Sequence, residues 1–180
     1  MKAKETNLKD AYVITTPRFD DERGFFLESF NSQGFGGIIG VDNNFVQDNH
    51  SKSSKGVLRG FHYQTQRPQG KLIRCTQGAV YDVIVDLRKS SPTFGKSFGI
   101  ELSSNNIMLW MPVGFAHAYY TISDYAEFEY KCTDYYHPES METLMWNDPD
   151  LNIEWPFEGD PILSLKDQEG KSFKNCYKYE

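Results

Sequence analysis

The chain has 180 residues and a mass of 20.8 kDa, enough for one domain with a hydrophobic core and too little for two ordinary ones. Hydrophobic residues make up 39% and charged residues 24%, a globular composition, and no run approaches the ~20 consecutive apolar residues of a membrane helix. Lys and Arg number 19 against 25 Asp and Glu, which argues against a general nucleic-acid binder but leaves room for a few local cations around one anionic ligand.

In chain order, MKAKETNLKDAY lacks the apolar stretch of a signal peptide, so a cytoplasmic protein is expected. The one fair helical window is short, LESFN (27–31), and QDNHSKSS (47–54) is polar and loop-like. KGVLRGFHYQ (55–64) and KLIRCTQG (71–78) read as strands. AVYDVIVDLR (79–88) places Tyr81, Val83, Val85 and Leu87 on one face and Asp82 and Asp86 on the other. FGIEL (98–102), IMLWM (107–111), FAHAYYTI (115–122) and AEFEYKC (126–132) follow. Turn signals separate the strands in SSPTFG (90–95), SSNN (103–106), PVG (112–114) and SD (123–124). From Asn147 the chain has three prolines and mixed polarity, and is expected to wrap the rest as an irregular tail. Closely spaced strands with turns between them predict an all-β sandwich or barrel, one domain over residues 1–180. The 13 Phe, 11 Tyr and 3 Trp suit such a core, or a pocket that stacks flat ligands. Cys75, Cys132 and Cys176, odd in number and without a CxxC, predict reduced packing thiols rather than a disulfide framework or structural zinc.

Four histidines can be weighed one at a time. His50, in the polar stretch, and His137, before Pro138, read as surface residues. His62 lies in a strand-like run, and His117 shares a strand face with Phe115 and Tyr119. An interior histidine is usually a hydrogen-bonded core residue, but two on neighbouring strands of a small barrel can share a pocket. Pro112-x-Gly114-x-x-His117 matches half of the cupin metal signature. The other half needs a His-x-His pair and a Glu, whereas this chain has His62-Tyr63-Gln64 and no Glu in the next thirty residues, so no metal is expected.

What remains suits proton transfer. His62 has the side chain of a general base near neutrality. Lys71, at the start of the next strand, can set a fixed positive charge beside a developing enolate. Tyr130 shares a strand face with Phe128 and Cys132, opposite Glu127, Glu129 and Lys131, and can deliver a proton away from His62. Each has a plainer reading: a packed tyrosine for Tyr130, solvated cations for Arg23, Arg59 and Lys71.

Several longer stretches resemble, in order, the dTDP-4-dehydrorhamnose 3,5-epimerase family of metal-free cupin enzymes. They are DERGFFLESFN (21–31), FVQDNHSKSSKGVLRGFHYQ (45–64), QGKLIRC (69–75), YDVIVDLRKSSPTFGK (81–96), PVGFAHAYY (112–120), EFEYKCTDYYHPE (127–139), WNDPDLNIEWP (146–156) and ILSLKD (162–167), covering roughly residues 8–170. The resemblance implies a cupin-like double-stranded β-helix, or jelly-roll, barrel with a short irregular or helical C-terminal tail. It implies a dTDP-linked 4-keto-6-deoxyhexose as substrate, epimerised at C3 and C5 through enolates in deoxysugar biosynthesis for cell-surface polysaccharide. No cofactor, nucleic acid or membrane is implied.

In family terms His62 is the base and Asp167 holds its other ring nitrogen. Lys71 and His117 stabilise the enolate oxygen, and Tyr130 is the acid. Substrate binding carries over to Arg23, Phe26, Glu28, Gln47, Asn49, Arg59, Tyr136 and Lys166, with Arg23 and Arg59 as diphosphate partners. The family's homodimers exchange N-terminal strands, so Arg23, Phe26 and Glu28 are expected to serve the partner's site.

Three departures bear on the choice of sugar and nucleotide. Met141 stands where the family offers a carboxylate; Ala118 and Tyr119 follow His117 where Gly-Phe is common, adding a methyl and a hydroxyl to a pocket wall; Phe61 replaces the usual Leu before His62. The alternatives are a single-carbon epimerase, an epimerase on another nucleotide-linked keto-sugar, a metal-free keto-isomerase, and a nucleotide-sugar binding module without turnover.

Overall fold

A computed structural model describes residues 1–40, 44–103, 106–157 and 159–180. The strands are β1 (Lys2–Glu5), β2 (Tyr12–Thr15), β3 (Arg18–Asp21), β4 (Gly24–Leu27), β5 (Gln47–Ser54), β6 (Leu58–Gln64), β7 (Lys71–Gln77), β8 (Ala79–Asp86), β9 (Ser97–Ser103), β10 (Ile107–Met111), β11 (Phe115–Thr121), β12 (Tyr125–Cys132) and β13 (Met141–Thr143). Helix α1 (Ser32–Ile39) lies between β4 and β5, and the one-turn α2 (Leu165–Gln168) lies in the tail. The expected strands from 58 to 132 are all present. The SSNN turn includes positions 104 and 105, which lie outside the described residues.

Antiparallel pairing arranges the strands in a six-stranded sheet, β1-β2-β10-β7-β12-β5, and a five-stranded sheet, β13-β6-β11-β8-β9. From β5 onward successive strands cross repeatedly from one sheet to the other, which is the double-stranded β-helix of a cupin-like barrel. Between the sheets lies a core that includes Ile73, Val80, Ile84, Leu102, Leu109, Phe115 and Phe128. The irregular tail covers the outer face of the five-stranded sheet, packing Leu144, Leu151, Trp155 and Cys176 on Phe61, Val83, Val85 and Ala118.

Two sequence expectations are corrected. LESFN is not helical. β4 ends at Leu27, and α1 begins only after Asn31, whose side chain accepts from the Gly34 N–H at 2.9 Å as an N-cap. This helix contains Gly34, Gly36 and Gly37, poor helix formers, and is held instead by Phe35, buried edge-on against Trp110 with centroids 5.2 Å apart. QDNHSKSS is strand β5, paired along its whole length with β12. Its less exposed row, Gln47, Asn49, Ser51 and Ser53, is polar, with Ser51 lining the barrel cavity, so hydrophobic alternation is missing. In β8, Asp82 and Asp86 lie on the face opposite Tyr81, Val83, Val85 and Leu87, and both are fully buried. The tail covers one side of the strand and the opposing sheet the other; Asp82 Oδ2 accepts from His117, while its Oδ1 has no hydrogen-bond partner among the described residues. Asp86 accepts from Arg88, Ser91 and Thr93 and so organises the 90–95 turn.

Candidate active site

The site begins with a bulge in β6. His117 pairs with His62, but Tyr119 pairs with Arg59, so three steps on β6 match two on β11. In a regular strand residues three apart face opposite sides. The extra residue turns both Arg59 and His62 to the barrel interior, where they line one cavity of about 180 Å³. Gly60 permits this: its φ is +120°, and a Cβ there would lie 2.4 Å from the His117 carbonyl oxygen.

His62 Nε2 donates to Asp167 Oδ1 at 2.6 Å, which leaves Nδ1 as the basic nitrogen. The carboxylate also accepts from the Gly60 N–H at 3.3 Å and the Ser164 hydroxyl at 2.7 Å. Burial works to raise the Asp167 pKa, but the hydrogen bonds from His62 and Ser164 outweigh it and hold the group below the usual carboxylate value. Asp167 comes from α2, whose N-cap Ser164 fixes it under the bulge.

A second imidazole–carboxylate pair lies deeper. His117 Nε2 donates to Asp82 Oδ2 at 2.8 Å, with both groups buried. Burial lowers the His117 pKa against the pull of Asp82, which favours a neutral ring. Sequence reasoning gave Asp82 a strand face but no role; an aspartate in an otherwise apolar strand was the available signal.

Lys71 is buried, and its ammonium makes no ion pair or side-chain hydrogen bond among the described residues. Burial lowers its pKa, opposed by the neighbouring Cys132 and Asp82. Its Nζ lies 5.5 Å from the centre of the Tyr130 ring. Tyr130, on β12 of the six-stranded sheet, faces the cavity as its strand face predicts. Burial pushes its phenol up to about 12, so it holds its proton at neutral pH. Base and phenol therefore reach one cavity from facing sheets.

The other expected site residues divide into three groups. Arg59 and Tyr136 line the cavity mouth, and Lys166 lines an adjoining hollow with Arg59, His62, Met141 and Asp167. Gln47 and Asn49 act from behind: Gln47 accepts the Tyr136 N–H at 2.8 Å, and Asn49 donates to Cys132 Sγ at 3.5 Å. Arg23, Phe26 and Glu28 do not reach this chain's own cavity. Arg23 pairs only with Asp21 among the described residues, and Phe26 is 69% exposed. Of the departures, Met141 lines the mouth and accepts a hydrogen bond from the Tyr136 hydroxyl at 3.6 Å, and Tyr119 lines the cavity. The Ala118 methyl and Phe61 pack in the outer core under the tail, not in the pocket wall, because neighbours along a strand face opposite sides. Among the described residues no three His, Cys, Asp or Glu side chains gather at metal-ligand spacing, and no helix is long and apolar enough to cross a membrane.

A cupin-like barrel that opposes a histidine–carboxylate pair to a phenol across one cavity is built as a proton-transfer isomerase. The profile of the dTDP-4-dehydrorhamnose 3,5-epimerase family matches residues 5–175. A dTDP-4-dehydrorhamnose 3,5-epimerase of Pseudomonas aeruginosa is 50% identical over 177 residues, 98% of each chain. The solved dTDP-6-deoxy-D-glucose-3,5-epimerase of Legionella pneumophila, in complex with dTDP-4-keto-L-rhamnose, superposes with a TM-score of 0.95 at 46% identity, covering 98% of this chain and 94% of that one. A 3'-monoepimerase from Streptomyces bikiniensis, in complex with dTDP-quinovose, superposes with a TM-score of 0.87 at 32% identity, over 93% and 85% of the two chains. The chain belongs to the dTDP-4-dehydrorhamnose 3,5-epimerase family, a family of isomerase-class enzymes.

Proposed function

We propose that this protein inverts C3 and C5 of dTDP-4-dehydro-6-deoxy-D-glucose, giving dTDP-4-dehydro-L-rhamnose, by successive enolates held between the two sheets. The C4 ketone acidifies the C–H bonds at C3 and C5. His62 Nδ1 removes one proton, and the C–H electrons pass into the ring and onto the C4 oxygen. The Lys71 ammonium stabilises that oxygen. Tyr130 then donates its proton to the opposite face of the carbon, the ketone re-forms, and the configuration is inverted. The imidazolium loses its proton and the phenolate regains one by exchange with water. Because the ketone is the electron sink, the scheme calls for neither a redox cofactor nor a metal.

One observation carries this reading: the base and the phenol reach the cavity from facing sheets. Arg59 holds the diphosphate and Tyr136 flanks the nucleotide or sugar. Among the described residues the β3–β4 hairpin pairs with no other strand, and it exposes Phe19, Phe25 and Phe26. A two-stranded hairpin with bare phenylalanines requires a cover. A second copy of this chain supplies it, and the swapped hairpin carries Arg23, Phe26 and Glu28 to the partner's site. Three buried thiols and a nucleotide-sugar substrate suit the cytoplasm, where the product feeds deoxysugar assembly for surface polysaccharide.

The deciding experiment is proton NMR of dTDP-4-dehydro-6-deoxyglucose with the protein in D₂O, beside His62→Ala. The expected result is loss of both the C3 and C5 signals, absent in the variant. Loss of one signal would make the protein a single-carbon epimerase. Retention of both with dTDP bound would make it another keto-sugar's enzyme or a binding module.

A further inference from the structure

We propose that Tyr119 is a positioning residue for the Arg59 guanidinium, acting through Ser53; the inference rests on the reading above only for the identity of the anion that Arg59 holds. The Tyr119 ring is buried and stacks on Phe128 with centroids 4.3 Å apart, so packing alone sets where its hydroxyl goes. It goes to the seam between the sheets. β11 lies in the five-stranded sheet and β5 edges the six-stranded one, and no strand pairing joins them among the described residues. Across this seam the Tyr119 hydroxyl lies 3.0 Å from Ser51 Oγ and 3.2 Å from Ser53 Oγ. Ser53 Oγ lies 3.0 Å from Arg59 Nε.

The direction of the chain follows from its first member. A guanidinium only donates, so Ser53 accepts from Arg59 Nε and passes its own proton to the Tyr119 oxygen. Tyr119 donates to Ser51, and Ser51 donates to the Phe128 carbonyl at 3.5 Å. Every hydroxyl thus accepts once and donates once, and each bond polarises the next. One Nη of Arg59 also donates to the Lys52 carbonyl at 3.3 Å. The rest of the fork is left toward the cavity that it lines, with no carboxylate partner among the described residues. A long side chain anchored at Nε loses less rotamer freedom when it meets an anion, so its affinity rises without any new contact. Phenylalanine at position 119 would keep the stack and cut the chain at its middle link.

The Arg59 Nε–H can be followed by ¹⁵N NMR whether or not any sugar is turned over. Tyr119→Phe is expected to speed its exchange with water about tenfold. KM for the dTDP-linked keto-sugar and Kd for dTDP should both rise about fivefold, with kcat changed less than about twofold and its pH profile unmoved. Ser53→Ala cuts the neighbouring link and should reproduce these effects. In an Arg59→Ala background Tyr119→Phe should weaken binding no further, because the two act as one unit. An unchanged Nε–H overturns the proposal. So does a Tyr119→Phe loss that falls on kcat, or one equal in size with and without Arg59. If the wild type neither binds dTDP nor exchanges the sugar protons, the epimerase reading fails, while the Nε–H still decides the role of Tyr119.

Discussion

His62 and Asp167 stand 105 positions apart in the chain and 2.6 Å apart in space, and the proton between them sets which nitrogen is the base. Asp167→Asn keeps the shape but frees the tautomer, so kcat/KM should fall by roughly 10²–10⁴-fold while the melting temperature moves little. Tyr130 acts on the other face. In Tyr130→Phe, His62 can still return a deuteron to the face it deprotonated, so exchange in D₂O should outlast inversion, a split that NMR reads from signal loss against product formed. His117 ties the site to stability. Its folded-state pKa is lowered by burial, so below the unfolded value of 6.5 the unfolded chain takes up a proton that the folded chain does not. Stability should therefore fall as pH drops through about 6.5, and His117→Asn should flatten that fall in urea titrations made at successive pH values.

At the scale of the element, the β6 bulge decides which side chains meet. Gly60→Ala would set a methyl against the His117 carbonyl and the Ala118 methyl at a backbone angle that suits glycine. It should cost more than about 2 kcal/mol in denaturant unfolding, or move Arg59 and His62 apart and abolish turnover. Asn31→Ala, by contrast, loses the cap of α1 and a 3.4 Å hydrogen bond to Glu28, and should cost about 1 kcal/mol in denaturant unfolding. The strands from β6 to β12 were legible because one face or both are apolar. β5 was not, since its less exposed row is polar, nor were the short exposed strands β3 and β4. The bulge was hidden too: Leu58-Arg59-Gly60-Phe61-His62 reads as an ordinary strand until β11 pairs with it.

At the scale of the whole molecule, the proposed hairpin exchange would bring Arg23 to a cavity that it does not line in its own chain. If hairpins are exchanged, Arg23→Ala and His62→Ala subunits mixed and reassembled form heterodimers with one intact site. Activity should return to about a quarter of wild type, against almost none for either variant alone. A monomer by light scattering, or no recovery on mixing, would remove the exchanged hairpin. The six-stranded sheet bears a second hollow on its outer side, lined by Asp48, His50, Arg74, Glu129 and Lys131. Its charges pair with one another across the hollow.

By itself the sequence determined the all-β class, most of the barrel strands, the strand face that Tyr130 shares with Phe128 and Cys132, and His62 and Lys71 as residues fit for enolate chemistry. Residue type and a period of two suffice for these, since both are local. Asp167 beside His62 was implied by the family resemblance and by no local pattern; tertiary structure alone decided that Asp82 holds a second imidazole, that Ala118 and Phe61 pack away from the pocket, and that Tyr119 reaches Arg59 through Ser53. Those contacts join residues distant in the chain or turn on a one-residue bulge, and no local pattern records which strand a side chain will face once the sheets close.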